Sequence, residues 1–115
     1  MKTAQNPVDK GIALRNHARF LFTQGLYVEA RTQFAGAIDA FPTNDDRSLF
    51  YRGDTYIRWA EQEIQLHANR AEAREILEKA AREFQQVQIE SRRQSGIKRV
   101  TDARIRMQIL VTNGT

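Results

Sequence analysis

The spacing of apolar residues between two helix-ending residues constrains the fold of this chain more than any other feature. In the stretch QGLYVEARTQFAGAIDAFP, the side chains of Ala30, Phe34 and Ala37 recur at helical intervals. Gly25 precedes this run and Pro42 follows it. A glycine readily adopts the left-handed conformation that ends a helix, and a proline cannot continue one. The sequence therefore predicts a helix that is bounded at both ends and apolar on one face.

The same periodicity predicts four more helices in the rest of the chain. Asn44 is the candidate N-cap of the third helix, and Asn69, with Glu72 three residues on, is that of the fourth. Apolar residues of the tail fit both a helix and a strand, and a helix is favoured because four helices precede it. We therefore expect an all-α chain, with helices over residues 7–24, 45–67, 69–93 and 97–111 besides the one between Gly25 and Pro42.

Part of this pattern occurs twice. Three positions of the first helix have counterparts 35 residues later in the third helix: Leu14, Ala18 and Leu21 correspond to Leu49, Gly53 and Tyr56. This repetition resembles the tetratricopeptide repeat, a helix–turn–helix unit that stacks on its neighbours. The corresponding residues of the two second helices are 43 positions apart: Ala30, Phe34 and Ala37 correspond to Ala73, Leu77 and Ala80. The eight extra residues are about two helical turns, so we expect a longer second hairpin with its tip at residues 66–70.

The resemblance implies a single domain of antiparallel helical hairpins, a fragment of a right-handed α-solenoid. Repeat one would cover about residues 11–44, repeat two about 45–93, and a capping helix about 97–111. Two repeats are few, because such units bury their faces against neighbours. The tail helix would supply that cover, or a second copy of the chain would bury Tyr56, Trp59 and the long third and fourth helices.

The resemblance also implies a peptide-binding groove lined by the first helix of each repeat. Its residues would be Ile12, Arg15, Arg19, Phe22, Thr23, Arg47, Phe50, Asp54, Ile57 and Arg58. Some family members hold a terminal carboxylate with a Lys–Asn set; Arg15 and Arg19 stand at the first pair of positions, but Tyr51 replaces the second Asn. An acidic, partly apolar peptide would bind Arg15, Arg19 and Phe50 through charged hydrogen bonds and ring burial. The alternative is that these arginines only solvate an exposed helix face.

The residue types exclude several kinds of chemistry. The chain has no cysteine, which excludes disulfides, thiol nucleophiles and cysteine-based metal sites. The sequence contains neither a phosphate-binding glycine loop nor a nucleophile elbow. Glu63 and His67 share a helix face, but two ligands do not make a metal site, and we expect His17 to be a packed interior residue. We therefore predict a non-catalytic protein without cofactor or metal.

Positive charge is concentrated at the C-terminus. Residues 1–44, 45–90 and 91–115 carry net charges of +2, −3 and +5. The cations of the last segment would suit an anionic partner such as nucleic acid, although no aromatic residue accompanies them. Docking onto an acidic patch of a partner protein, or onto residues 61–90 of this chain, is the plainer interpretation. These residues are Arg92, Arg93, Lys98, Arg99, Arg104 and Arg106.

Hydropathy points to a protein that does not cross a membrane. The sequence has no run of eighteen apolar residues, and its first twenty residues lack the apolar segment of a signal peptide. We expect a cytoplasmic adaptor that binds a protein or peptide. A nucleic-acid-associated accessory protein and a self-associating structural subunit are the alternatives.

Overall fold

The computed structural model describes residues 6–67 and 69–113, with side chains described for 6–66 and 69–108. All the regular structure in these ranges is helical, which confirms the all-α prediction and the helical tail. None of these helices is both long and apolar enough to span a bilayer. The helices are α1 (Pro7–Thr23), α2 (Tyr27–Ala40), α3 (Asp46–His67), α4 (Arg70–Gln85) and α5 (Glu90–Asn113).

The ends of the first helices follow local sequence signals. The side chain of Asn6 accepts a hydrogen bond from the backbone N–H of Val8 at 2.8 Å, and Pro7 occupies the first turn of α1. Gly25 has φ of 79°, so its left-handed conformation turns the chain from α1 into α2. Helix α2 ends at Ala40, ahead of Pro42. These boundaries confirm the sequence predictions.

The N-cap of α3 is one residue later than the sequence predicted. The carboxylate of Asp45, and not the amide of Asn44, accepts the backbone N–H of Ser48 at 2.8 Å. The hydroxyl of Ser48 donates to the same carboxylate at 3.1 Å. A carboxylate at this position also complements the positive end of the helix. The predicted cap of α4 is confirmed, since the Asn69 side chain accepts the N–H of Glu72 at 3.3 Å.

The prediction that the fourth helix reaches Arg93 is wrong. Helix α4 ends at Gln85, and α5 begins at Glu90 rather than near residue 97. The turn between them contains no glycine or proline, the usual sequence signals for a break. Long-range contacts fix it instead: Val87 is buried, and Asp46 of α3 accepts the backbone N–H groups of Gln88 at 2.8 Å and Ile89 at 2.9 Å.

Gly96 has a packing role within α5. It falls between the predicted fourth and fifth helices, but in the structure it lies inside α5 against the ring of Phe84. A Cβ at this position would overlap that ring. The glycine therefore allows α5 to approach α4 closely.

The helices are arranged in two layers. Helix α3 contacts all four other helices, and α1 and α5 lie on either side of it. Helix α2 covers α1 and α3, whereas α4 covers α3 and α5. One layer thus consists of α1, α3 and α5, and the other of α2 and α4.

Two apolar clusters form the core, one between α1 and α2 and one among α3, α4 and α5. Ala18 and Ala30 are fully buried, as expected for a close helix crossing. The ring of Trp59 packs against both clusters and stacks on Phe34, with 5.4 Å between ring centroids. This aromatic contact joins the two halves of the core.

The expectation that His17 is an interior residue is wrong. Its side chain is exposed, and Nδ1 lies 3.4 Å from the Oε1 atom of Gln33 on α2. Ala18, next to it in the sequence, occupies the helix crossing, so His17 points away from the core. The interaction with Gln33 therefore lies on the protein surface.

Candidate functional site

The layer of α1, α3 and α5 carries the residues that the repeat resemblance assigned to a groove. Arg19, Thr23 and Arg47 are exposed, and Ile12, Phe50 and Arg58 are half-buried; all six are accessible to a ligand at least in part.

The other four groove residues are largely enclosed. Phe22 and Ile57 are 1% and 3% exposed, and both belong to the core. The side chains of Arg15 and Asp54 are 13% and 9% exposed because they pair with each other between α1 and α3. A ligand on this layer would therefore meet Arg19 and Arg47 before it meets Arg15.

Asp54 is the centre of an ion cluster that joins three helices. Its Oδ2 atom accepts hydrogen bonds from Nη1 of Arg15 at 3.4 Å and from Nε of Arg58 at 2.8 Å. Its Oδ1 atom accepts one from Nη2 of Arg99. Arg15 belongs to α1, Arg58 to α3 and Arg99 to α5, so the cluster cross-links the whole layer. Three guanidinium groups around one carboxylate leave an excess of positive charge.

The excess of positive charge affects the pKa values of Asp54 and Arg15. Burial of the Asp54 carboxyl acts to raise its pKa, but the Arg58 hydrogen bond and the charges of Arg99 and Arg58 together outweigh burial. The pKa of Asp54 therefore lies below its ordinary value. Burial lowers the pKa of Arg15, and the charges of Arg58 and Arg19 lower it further, against the opposing effect of Asp54. Arg15 nevertheless stays protonated at neutral pH.

A cavity of about 490 Å³ opens between the first turns of α3 and α5. The rings of Phe50 and Tyr51 give it an apolar wall. The guanidinium of Arg47 lies 5.6 Å from the centre of the Tyr51 ring, and that of Arg99 lies 5.4 Å from the centre of the Phe50 ring. Arg92 lines the same space together with Ser91, Ser95 and Asp46, whose carboxylate already accepts two backbone N–H groups. The cavity combines ring surface with cations, which suits an acidic and partly apolar segment.

Most of the basic residues of the C-terminal segment are engaged within the chain. Arg92 and Arg104 are exposed on α5. The other four make contacts with neighbouring groups: Arg93 with the carbonyl of Val87, Lys98 with Asp102, Arg99 with Asp54, and Arg106 with Glu61. The sequence predicts that all six cations could face one anionic partner. In the structure, four of them make separate local contacts within the chain.

Glu63, considered as a metal ligand, has a different set of partners. Its fully buried carboxylate accepts hydrogen bonds from Arg31 at 2.8 and 2.9 Å and from Nε1 of Trp59 at 3.0 Å. The side chain of His67 lies outside the described residues. Among the side chains that the structure describes, no group of three or more His, Cys, Asp or Glu residues is placed to hold a metal ion.

Sequence reasoning assigned Arg99 to the tail and Asp54 to the groove, and so missed their contact. They are 45 positions apart, and the pairing exists only because α5 lies beside α3. A possible signal was the isolated Asp54 among the groove arginines, since one carboxylate on a cationic face is a natural partner for several of them.

Comparisons with protein-family models, with curated proteins and with solved structures found no match to this chain.

Proposed function

We propose that this chain is a non-catalytic adaptor of tetratricopeptide-like architecture that binds an acidic, partly apolar peptide on the layer of α1, α3 and α5. The observation that carries the proposal is the excess of arginine over carboxylate around Asp54, next to the ring-lined cavity between α3 and α5. Arginine forks bind carboxylates with two parallel hydrogen bonds, and exposed ring surface binds apolar side chains.

Repeated packing supports the tetratricopeptide-like part of the proposal. The ring of Phe41, at the end of α2, lies against Gly11 of α1, and the ring of Phe84, at the end of α4, lies against Gly53 of α3. A Cβ at either glycine would lie 2.5 Å from the nearest ring carbon. The same close contact between a first and a second helix thus occurs in both halves of the chain, as expected for two copies of one unit.

The distribution of charges favours a peptide over nucleic acid as the partner. A nucleic-acid surface needs many cations that face one phosphate backbone, and four of the six in the C-terminal segment make separate local contacts within the chain. Of the remaining two, Arg92 lines the cavity beside the Phe50 and Tyr51 rings, a space suited to a peptide side chain. Capture of nucleic acid instead of peptides would contradict this choice of partner.

The test is a selection of random displayed peptides against the full chain. We expect the retained peptides to be enriched in Asp and Glu beside an aromatic or large aliphatic residue. The double variant Arg19→Glu/Arg47→Glu should lose these peptides, because both side chains are exposed on the binding layer and neither belongs to the Asp54 cluster.

The matched control is Arg74→Glu/Lys79→Glu, which reverses two exposed cations on α4 in the other layer. It should keep the selected peptides, and both variants should keep the helical circular dichroism of the parent. Peptides without acidic enrichment, equal loss in both variants, or capture of nucleic acid alone would contradict the proposal.

A further inference from the structure

The Asp54 cluster holds more donor groups than one carboxylate can use. Within the described side chains, Arg58 and Arg99 each donate to Asp54 through a single nitrogen, Nε of Arg58 and Nη2 of Arg99. Each guanidinium has five N–H groups, so most of the N–H groups of Arg58 and Arg99 remain available to another acceptor. The Nε atom of Arg15 is buried and has no hydrogen-bond partner among the described residues.

The donors of Arg58 and Arg99 lie beside an open space. Arg58 and Arg99 line a cavity of about 290 Å³ between α3 and α5, with Ile57 at its apolar side. Two carboxylates also line it, but each has its own cation: Glu61 pairs with Arg106 at 2.9 Å, and Asp102 with Lys98 at 3.1 Å. The lining of the cavity therefore carries three guanidinium groups, those of Arg58, Arg99 and Arg106, against the two carboxylates of Glu61 and Asp102.

The excess charge defines the ligand that would complete the cluster. Three guanidinium groups and one carboxylate carry a net charge of +2, and Arg19 adds to the positive potential at Arg15. A carboxylate would neutralise half of that excess, whereas a phosphate monoester carries a charge of about −1.5 to −2 at neutral pH and three acceptor oxygens. Arginine forks match phosphate oxygens in geometry as well as in charge.

We propose that Arg58 and Arg99, with the added positive charge of Arg15 behind them, form a phosphate-binding site that receives a phosphorylated side chain of the partner peptide. Asp54 fixes the three guanidinium groups in place, and the guanidinium groups of Arg58 and Arg99 line the cavity. This inference rests on the proposed peptide-binding function and adds to it the class of residue that the central part of the site recognises.

Inorganic phosphate is the first probe, with acetate and chloride at equal ionic strength as comparisons. We expect phosphate to raise the melting temperature of the full chain in a saturable way, and acetate and chloride to have no such effect. Arg99→Gln should weaken phosphate binding about tenfold or more, because it removes a charge-assisted hydrogen bond. The control Arg104→Gln, at an exposed position on the same helix, should bind phosphate as the parent does.

Asp54→Asn should change the affinity for phosphate in the direction opposite to Arg99→Gln. If the cluster were only a structural ion pair, this change would destabilise the fold without any gain in phosphate binding. A phosphate site predicts tighter binding, because the net charge rises by one while the amide oxygen of Asn can still accept from the guanidinium groups. Titration by isothermal calorimetry with folded protein measures the effect, and the Arg99→Gln and Arg104→Gln comparison decides the question if this variant does not fold.

The proposal is overturned if phosphate acts no differently from acetate at equal ionic strength, or if Arg99→Gln binds phosphate as well as the parent. A selected acidic peptide and its phosphoserine version separate this inference from the proposed function. Equal affinity for both peptides would reject the phosphate site and keep peptide binding. Binding of phosphate without binding of either peptide would reject the peptide function and keep the anion site.

Discussion

The ring of Phe84 lies between two glycines, Gly53 of α3 and Gly96 of α5. A methyl group at Gly53 would lie 2.5 Å from the ring, and one at Gly96 would overlap it. Alanine is favoured over glycine inside a helix by about 1 kcal/mol, but overpacking a core costs about 1–3 kcal/mol. The cost of steric overlap at these two positions therefore exceeds the gain in helix preference.

We predict that Gly96→Ala lowers the free energy of unfolding by about 2 kcal/mol, measured by urea denaturation. The matched control is Gly36→Ala on α2, where the nearest side-chain atom, Cδ1 of Leu14, is 3.8 Å from the new methyl group. This control should be stabilised by up to about 1 kcal/mol, because only the helix preference changes. Equal stability of Gly96→Ala and the parent would show that α5 does not approach Phe84 as described.

The Asp54 carboxylate should make the fold sensitive to acid. Because its pKa is lower in the folded chain than the unfolded value of about 3.9, its contribution is fully present above that value. The contribution is lost as the pH falls through the lower, folded pKa. We predict that Asp54→Asn costs about 2–4 kcal/mol at pH 7, with the difference from the parent shrinking steadily below about pH 4.

Chemical denaturation at a series of pH values measures this dependence. Asp39→Asn, at an exposed carboxyl on α2, is the control and should follow the parent closely. A constant difference between Asp54→Asn and the parent down to pH 2 would show that the ionised carboxylate is not the source of the stability.

At the scale of the helices, sequence predicts the ends that depend on neighbouring residues. Asn6, Gly25 and Asn69 act on backbone groups within a few positions of themselves, so their roles could be derived without a fold. The turn after α4 depends on Asp46, which lies more than 40 residues before Gln88 and Ile89, and on the burial of Val87. No local pattern records those contacts, which is why that boundary was predicted wrongly.

The contact of Asp46 with the α4–α5 turn can be tested directly. The hydrogen bonds from the N–H groups of Gln88 and Ile89 are the main reason that the pKa of Asp46 lies below its ordinary value. We predict that Asp46→Ala speeds hydrogen exchange of these two amides at least tenfold, as expected when each loses its acceptor. Asp9→Ala, in the exposed first turn of α1, is the control and should leave both amides unchanged. Unchanged exchange in Asp46→Ala would mean that the turn is fixed by Val87 alone.

At the scale of the whole molecule, sequence predicted the helical class, but not which side chains of the candidate site pair with one another. The face of α1 and α3 was correctly read as rich in arginine, because the residues of one helix face are spaced regularly in the chain. The approach of Arg99 from α5 depends on layer packing, which residue spacing does not encode. The contact of Arg99 with Asp54 could therefore not be predicted from the sequence.

The aromatic residues that the sequence offered for self-association are used within one chain. Trp59 stacks on Phe34 and donates to Glu63, and Tyr56 stacks beside it with 6.4 Å between ring centroids. We therefore predict that the melting temperature is unchanged over a hundredfold dilution, measured by fluorescence of Trp59. A melting temperature that falls on dilution would support an obligate dimer instead.

The central claim is that the layer of α1, α3 and α5 binds acidic peptides. The most direct measurement is a nuclear magnetic resonance titration of the ¹⁵N-labelled chain with the peptide Glu-Glu-Phe-Glu-Glu, and with Lys-Lys-Phe-Lys-Lys as the charge-reversed control. We predict saturable shifts at the side chains of Arg19 and Arg47 and at the amides around Phe50, with Arg74 on α4 unaffected and no response to the control. Shifts centred on α2 and α4, or equal responses to both peptides, would contradict the claim.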